Sequence, residues 1–418
     1  MENPASSRRR SASPAPGIAS VPRSRTPLRS HRTLPNRSAP TTTLVMFRPF
    51  RGTTFTADVA ASTSPPYDMI DDAATLRDSS PHNMVRLLLP ETYQDSARLL
   101  KSWLGNGTLQ VDADPRFYLY TMRYRSHQGI EHEARGVIGA LGLEPIGARI
   151  LGHEETMAHT GVDRLELLRA TRSNLDLIIT LSPAPGLPAL LEPEGPPRFA
   201  FEAEGVHHAL YDLERESAAI AEAVDAHPLA IADGHHRFTA ALEYQASRES
   251  RGGWDAIMAF VAPAEGSGLQ IRPIHRFFPT LAIGDIGDIF DVHVQPVLSI
   301  PPTVPGSITM ITVGGSRLLV PKAGPLQDLP VPWRSASTAV ARELLYPRCG
   351  VGEDDAVFHP DPERLIGELA GAPDGAVLLM AAVPEKAVSD AAAQGLRFPR
   401  KTTLFIPKPR AGLVLRSF

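Results

Sequence analysis

The sequence predicts a mixed α/β (α+β) fold, in which short apolar strands are interspersed with amphipathic helices. Hydrophobic residues make up 43% of the 418 residues, which is enough for a large buried core. Short apolar runs bounded by Gly and Pro are typical of strands, and apolar residues at helical spacing are typical of helices. A chain of this length is expected to contain two or three domains.

From residue 95 to residue 248, the sequence predicts both helices and strands. Residues 95–104 have apolar residues at helical spacing, and Gly105 and Gly107 end that helix. Thr160 and Asp163 have the spacing of a capping box and begin the next helix, which ends near Ser173. Strands are predicted at 117–124, 136–143, 175–181, 206–213 and 229–232, helices at 214–226 and 236–248, and a Pro-rich surface loop at 183–197.

The C-terminal region continues the mixed pattern. Residues 308–320 read as two strands joined at Gly314 and Gly315. Helices are predicted at 337–345, 362–369 and 384–394, and strands at 376–381, 403–406 and 413–415. We therefore divide the chain into a tail at residues 1–45, a first domain at 46–280 and a C-terminal α/β region at 281–418 that packs on it.

The N-terminal tail differs in composition from the rest. Residues 1–45 contain eight arginines, no lysine and one acid, Glu2. Its prolines interrupt any amphipathic targeting helix, so we expect a disordered basic segment. Because the whole chain carries a net charge of −4, the remainder carries −11 and has no general attraction for nucleic acid. The change in composition leaves both Met1 and Met46 open as the translation start.

The composition also points to a compartment. The single cysteine, Cys349, has no partner for a disulfide or a zinc site, which favours a reducing environment. No apolar run reaches the roughly 18 residues that span a bilayer, and no secretory signal follows the basic start. We expect a cytoplasmic protein without membrane partners, and the sequence leaves its oligomeric state open.

The segment IADGHHRFTAAL places a strand, an Asp-Gly break and a helix in succession. The first N–H groups of such a helix are unpaired and attract phosphate or carboxylate. Gly234 would let an anion approach, Arg237 would supply a bidentate clamp, and His235 and His236 would donate hydrogen bonds. A structural explanation also stays open, in which Asp233 only caps the helix and the other side chains pair locally.

Further candidates flank this turn. The segment LGHEETMAH resembles the zinc motif HExxH, but Met157 stands in place of the second histidine. His153, Glu154 and Glu155 remain candidates for a general base or for Mg²⁺ coordination, or they are solvated acids. Arg164, Lys401 and Thr402 are candidates for phosphate contact. A surface salt bridge is the commoner fate of a helical arginine such as Arg164, and a basic strand start is the structural alternative for Lys401 and Thr402. We find no GxGxxG, P-loop or nucleophile elbow, which argues against dinucleotide enzymes and hydrolases of that type.

Seven motifs in a fixed order resemble the domain of unknown function 1015 family, often labelled ParB-like or chromosome-partitioning-like. The resemblance spans nearly all of residues 46–418, and Phe238, Ile274 and Thr402 stand where the family usually has Tyr, Thr and Ser. The motifs are RPFRG, SPPYD, GHEET, VDRLELL, IADGHHRF, PIHR and PRKTT.

The DGHHR element is more distantly similar to the phosphate-binding motif of the ParB and sulfiredoxin superfamily, which includes free-serine kinases. This resemblance implies a ParB/sulfiredoxin-like core. It also implies that the protein binds a nucleotide, ATP or ADP together with Mg²⁺, and that the phosphates lie at Gly234 to Arg237. In those kinases a glutamate activates the substrate hydroxyl, and Glu154 is our candidate for that role by its chemistry and not by alignment. We also predict catalytic roles for Asp233, His235 and His236, with Glu154 and Asp233 as the metal candidates.

Three functions follow as hypotheses. The first is a nucleotide-dependent kinase that acts on a small hydroxylated metabolite such as a free amino acid. The second is a ParB-type nucleotide switch on DNA, against which the acidic body argues. The third is a metabolite-binding protein without turnover.

Overall fold

The mixed α/β fold predicted from the sequence is confirmed by the computed structural model, which describes residues 46–126, 129–155, 161–296 and 301–418. These described residues belong to one compact unit. The predicted tail and the capping residue Thr160 lie outside the described residues. No helix of the described ranges is long and apolar enough to cross a membrane.

Strands and helices alternate along the chain, and most of them are short. The strands are β1 Phe47–Arg48, β2 Thr53–Phe55, β3 Leu109–Val111, β4 Phe117–Arg125, β5 Glu131–Gly142, β6 Ile150–Gly152, β7 Ser173–Asn174, β8 Ile178–Ser182, β9 Phe199–Ala203, β10 Val206–Leu213, β11 Leu229–Asp233, β12 Ala256–Pro263, β13 Gln270–Pro273, β14 His275–Phe278, β15 Phe290–Gln295, β16 Ile308–Thr312, β17 Gly315–Pro321, β18 Val357–His359, β19 Ala376–Met380, β20 Thr403–Ile406 and β21 Arg416–Ser417.

The helices that the structure describes are α1 Val59–Ser62, α2 Ala73–Ser79, α3 Val85–Leu88, α4 Tyr93–Gly105, α5 Gly161–Thr171, α6 Leu187–Leu190, α7 Ser217–Asp225, α8 His235–Ala246, α9 Ala323–Gln327, α10 Ser337–Val340, α11 Tyr346–Cys349, α12 Pro362–Glu368 and α13 Glu385–Ala393. A π-helical stretch, Ala341–Leu345, joins α10 to α11. Short 3₁₀ turns occupy Tyr67–Met69, Gly253–Asp255, Val331–Ser335, Glu353–Asp355 and Leu369–Gly371.

The larger sheet has nine strands and is mixed. Its order is β6-β11-β8-β12-β5-β4-β10-β9, with β1 paired to β5. The pairs β11–β6 and β12–β8 are parallel, and the other pairs are antiparallel. All eight residues of β12 are buried, because both faces of the sheet are covered. Residues of α5, α7 and α8 pack on one face, and residues of α13 and the C-terminal segment pack on the other.

The smaller sheet has six antiparallel strands in the order β15-β17-β16-β19-β14-β18. Its core contains Phe278, Phe290 and Leu319 together with Leu345 and Tyr346 from the helical segment that covers it. The two-stranded hairpin predicted at 308–320 is confirmed as β16 and β17.

The end of the chain contributes to two separate two-stranded sheets. Strand β20 pairs with β13, and β21 pairs with β7. The predicted strand at 413–415 is wrong, because only Leu415 makes an isolated bridge, to Thr53. Leu413 and Val414 are buried without a ladder, so their apolar character reflects core packing. The division at residue 280 stays a prediction.

Elements with a strong local pattern occur where the sequence predicts them. This holds for the helices α4, α7, α8, α12 and α13 and for the strands β4, β5, β8, β10, β11, β19 and β20. The Pro-rich stretch predicted as a loop contains one short helix, α6. The sequence analysis missed several elements, among them the short elements β2, α1, α2 and α3, which have few residues to form a periodic pattern. It also missed β12, an eight-residue buried strand of the larger sheet.

Candidate active site at the start of helix α8

A left-handed glycine makes the turn between β11 and α8. Strand β11 ends at Asp233, and Gly234 follows with φ +92° as the N-cap of α8. A Cβ atom at Gly234 would lie 2.7 Å from Cγ2 of Ile178 and 3.1 Å from Nε of Arg237. The turn therefore requires glycine for both its backbone angle and its space.

The N-terminus of α8 is open. The N–H groups of His235, His236 and Arg237 have no acceptor among the described residues, and no side chain caps the helix. These groups belong to the wall of a cavity of about 380 Å³, which Asp68, Glu154 and Lys401 also line. Unpaired N–H groups and the positive end of the helix dipole make this wall attractive to an anion.

A chain of alternating charges lies beside the cavity. The ammonium of Lys408 donates to Asp68 at 2.7 Å and to Asp233 at 2.8 Å. Arg237 donates to the other oxygen of Asp233 and to Asp176. Burial by itself raises the pKa of Asp233, but the charges of Lys408 and Arg237 hold it below its usual range. Three carboxylates and two cations thus fix the start of α8 to distant segments.

The predicted bidentate clamp at Arg237 is not what the structure shows. The guanidinium is only 10% exposed and donates to Asp176, Asp233 and the carbonyl of Leu177. Only its Nε has no partner within the described ranges. A desolvated guanidinium needs acceptors for most of its donors, and these protein acceptors already satisfy it.

Three histidines near the turn are held neutral. Burial lowers the pKa of His153 to about 4 and that of His235 to about 3, and in His235 the positive charge of a protonated His153 adds to the effect. The two rings lie 5.2 Å apart between centroids. Burial, and then the positive charges of Lys401 and Arg237, lower the pKa of His236. Nε2 of His235 is buried without a partner in the described parts of the chain.

Glu154 is held by the backbone of the PRKTT segment. Its Oε1 accepts from the N–H of Lys401 at 2.6 Å, and its Oε2 accepts from the N–H groups of Thr402 at 3.2 Å and Thr403 at 3.3 Å. Lys401 adopts φ +57°, which turns these successive N–H groups toward the carboxyl. Burial raises the pKa of Glu154 despite these hydrogen bonds. Its neighbour Glu155 pairs with Arg342 at 2.9 Å.

Two residues predicted to contact phosphate lie outside the cavity wall. The hydroxyl of Thr402 donates to the carbonyl of Pro399 at 2.6 Å and contacts Thr338 in the core. Arg164 pairs with Asp163, donates to the carbonyl of Leu88 and lies over the ring of Tyr67 at 4.2 Å. Their contacts do not support phosphate binding. Lys401 does line the cavity.

The structure does not favour Glu154 or Asp233 as magnesium ligands. Protein donors already occupy both oxygens of each carboxyl. No group of three or more His, Cys, Asp or Glu side chains that could hold a metal ion occurs among the described residues.

Sequence reasoning missed Lys408, Asp68, Asp176 and Tyr67 as parts of this site. Tyr67 and Asp68 lie in the motif SPPYD, which supported the family resemblance but received no role. Lys408 lies in PKPR and Asp176 in a strand region, where nothing local distinguishes a site residue from a surface charge.

One protein-family model matches a large part of this chain. The family model described as "Protein of unknown function (DUF1015)" matches residues 47–338, which is more than half of the chain. The chain belongs to this family, and the expected resemblance is confirmed to that extent. A comparison with curated proteins found no match.

Solved structures match this chain only weakly. A conserved hypothetical protein from Pyrococcus furiosus is 13% identical, with a TM-score of 0.34, and the match covers 63% of this chain and 93% of that one. Free serine kinase in complex with AMP is 11% identical, with a TM-score of 0.35, and the match covers 63% and 89%. SbnI with C-terminal truncation from Staphylococcus aureus is 10% identical, with a TM-score of 0.37, and the match covers 66% and 84%. None of these three is described as a ParB protein, and the ParB-like label is unsupported.

Proposed function

We propose that this protein binds the phosphate groups of a nucleotide at the start of α8 and transfers a phosphoryl group to a small hydroxylated metabolite. The observation that carries the proposal is the open N-terminus of α8 in the wall of a cavity of about 380 Å³. Cavities of roughly 300 to 1,000 Å³ are typical of small-molecule sites.

The charges around the helix start favour phosphate. Lys401 lines the same cavity, and its charge lowers the pKa of His236 in the first turn of α8. A bound phosphate would reverse that effect, because it would stabilise the protonated imidazole. Gly234 carries no side chain that could block the approach to the N–H groups of the first turn.

In phosphoryl transfer, the protein acts mainly by positioning the reactants and by stabilising the charge of the transition state. The N–H groups of α8 and the ammonium of Lys401 would supply both for the transferred group. Glu154 lines the cavity and is the candidate for moving the proton of the acceptor hydroxyl. Mg²⁺ would enter with the nucleotide phosphates, because the carboxyls of Glu154 and Asp233 already have donors.

Binding can be tested by calorimetry with AMP, ADP, ATP and pyrophosphate, with and without Mg²⁺. Lys401→Ala should weaken nucleotide binding by about 10- to 150-fold, as expected for the loss of a hydrogen bond to a charged group worth about 1.5–3 kcal/mol. Lys101→Ala, on the exposed face of α4, is the matched control and should bind like the wild type. Equal affinity in both variants would refute the phosphate site.

Transfer can be tested by ³¹P NMR with ATP and pooled hydroxy amino acids and sugars. A new phosphomonoester resonance that depends on the protein is the expected result. Binding without transfer would favour the second candidate function, a nucleotide-binding protein without turnover. The saturated hydrogen bonds of Glu154 and Arg237 are the observation that favours this candidate.

A further inference from the structure

One chain of hydrogen bonds joins His153, Thr403 and Glu154 beside the cavity. Nδ1 of His153 lies 2.7 Å from the carbonyl oxygen of Ile231, and Nε2 lies 2.9 Å from Oγ1 of Thr403. The same Oγ1 lies 3.2 Å from Oε2 of Glu154. Glu154 and Thr403 line the cavity, whereas His153 is only 1% exposed.

The position of the protons on His153 follows from its partners. A carbonyl oxygen only accepts, so Nδ1 of His153 carries a proton and donates it to Ile231. Burial lowers the pKa of His153 to about 4, so the ring is neutral at pH 7 and carries no second proton. Nε2 is therefore unprotonated and can only accept a hydrogen bond, so the hydroxyl of Thr403 must donate to it.

This arrangement leaves Glu154 without a donor from Thr403. A hydroxyl has one proton, so Thr403 cannot donate to His153 and to Glu154 at the same time. The contact of 3.2 Å between Oγ1 and Oε2 is then favourable only when Oε2 carries its own proton. The two carboxyl oxygens are also unequal, since Oε1 has one short contact of 2.6 Å and Oε2 has backbone contacts of 3.2 and 3.3 Å. A carbonyl oxygen at Oε1 and a hydroxyl at Oε2 fit this difference.

We propose that Glu154 is a neutral carboxylic acid in the resting protein, with its proton on Oε2, and that Thr403 and His153 form a relay that receives this proton. Glu154 then takes a proton at Oε1 only by releasing its own proton from Oε2 to Oγ1 of Thr403. The proton of Thr403 passes to Nε2 of His153, which becomes an imidazolium. Thr403 and His153 are positioning residues, because neither is placed against substrate.

The charged groups around the relay decide where the proton rests. Asp233 faces His153 and favours an imidazolium there, whereas a protonated His235 would oppose it. Burial favours the neutral form of Glu154, whereas the backbone N–H groups of the 401–403 segment and the charge of Lys401 favour its ionised form. In this proposal, Oγ1 of Thr403 adds the acceptor that keeps the proton on Oε2.

Use of the relay in catalysis rests on the proposed function. The acceptor hydroxyl gives its proton to Oε1 of Glu154 while its oxygen forms the new bond to phosphorus. The bond from phosphorus to the nucleotide oxygen breaks, and its electron pair leaves with the nucleotide. One proton has then moved from the acceptor to His153. The relay resets when the same path runs in reverse, through Thr403 to Oε2 of Glu154, and Oε1 releases its proton to water in the cavity after the product leaves.

Infrared difference spectroscopy of the full chain tests the resting state without any substrate. Wild type minus Glu154→Gln at pH 7 should show the C=O band of a protonated carboxyl, shifted in D₂O. Wild type minus Glu155→Gln is the matched control and should show only the loss of carboxylate bands. Absence of the protonated band in the first difference overturns the proposal.

Variants of Thr403 test the relay itself. Thr403→Val keeps the shape but removes the acceptor for the Glu154 proton, so three backbone N–H groups remain and the carboxyl should ionise and lose its band. Thr403→Ser should keep the band. ¹⁵N NMR of wild-type His153 gives an independent test, and it should show a protonated Nδ1 and a bare Nε2 at pH 7. A protonated Nε2, or a band that persists in Thr403→Val, would contradict the relay.

The outcomes separate this inference from the proposed function. A protonated Glu154 in a protein that binds no nucleotide keeps the inference and refutes the proposed function. Phosphoryl transfer by a protein with an ionised Glu154 keeps the proposed function and refutes the inference. When both hold, Thr403→Val should lower kcat at least tenfold and change its pH profile while KM for the nucleotide stays the same, and Thr403→Ser should restore the wild-type profile.

Discussion

Arg237 should stabilise the folded protein strongly, because it lies between two buried carboxylates. It is 10% exposed, its partner Asp176 is 6% exposed and Asp233 is 20% exposed. Replacing Arg237 with alanine leaves three carboxylates, those of Asp68, Asp176 and Asp233, against the single cation Lys408. The variant therefore has an uncompensated buried charge.

The magnitude follows from the burial. Removing one partner of a buried ion pair costs about 3–5 kcal/mol of the free energy of unfolding, because the other charge stays desolvated. Replacing both partners with neutral isosteres is much less costly, since no unpaired charge remains. Asp176→Asn combined with Arg237→Gln should therefore recover most of the loss caused by Arg237→Gln alone.

Urea denaturation of the single and double variants measures these differences. Arg169→Ala removes an exposed i,i+3 pair with Glu166 and is the matched control, with an expected change of about 0.5 kcal/mol or less. A loss below about 1 kcal/mol in Arg237→Ala would refute the reasoning. The guanidinium would then be solvated, and a role as a phosphate clamp would be open again.

Three further predictions concern the turn and the buried histidines. Gly234→Ala should reduce the free energy of unfolding by about 1–3 kcal/mol, because φ at Gly234 is +92° and a Cβ atom there would lie 2.7 Å from Ile178. Gly371→Ala, at a position with open space around it, is the control in the same urea experiment. Burial, and then the charge of Arg276, lower the pKa of His275 to about 4 in the folded protein. The pKa of a histidine in the unfolded state is about 6.5, so the unfolded state binds more protons below this pH. The free energy of unfolding should therefore fall by about 3 kcal/mol between pH 6.5 and 4. Urea titrations across this range should show a smaller slope in His275→Asn, and an unchanged slope would contradict the burial argument. Burial, and then the charges of Lys401 and Arg237, lower the pKa of His236, and a bound anion would raise it. Nucleotide affinity measured by calorimetry should therefore increase as the pH falls through the range in which this imidazole takes up its proton, and His236→Gln should flatten this dependence.

Local patterns were enough to predict the elements that carry the site. The apolar run 229–232, the Asp-Gly break and the apolar positions of α8 lie next to each other in the chain, so their structure depends on short-range geometry. Phe238, Ala241 and Tyr244 face the core as their spacing predicts. The open helix start and the left-handed Gly234 also follow from the order strand, Asp-Gly and helix.

The direction and partners of the charged side chains were decided only by the tertiary structure. Lys408 follows Asp233 by 175 residues in the chain, and Glu154 binds N–H groups almost 250 residues away. Whether Arg237 contacts an anionic ligand or a carboxylate of the protein depends on which acceptors the packing of β8 against α8 brings within hydrogen-bond distance. The sequence by itself determined the class of fold and the anion-attracting turn, because those depend on periodicity and backbone geometry. Only the tertiary structure decided which side chains remain available to a ligand. A buried charge is stable only when it is paired, and its partner can come from any part of the chain.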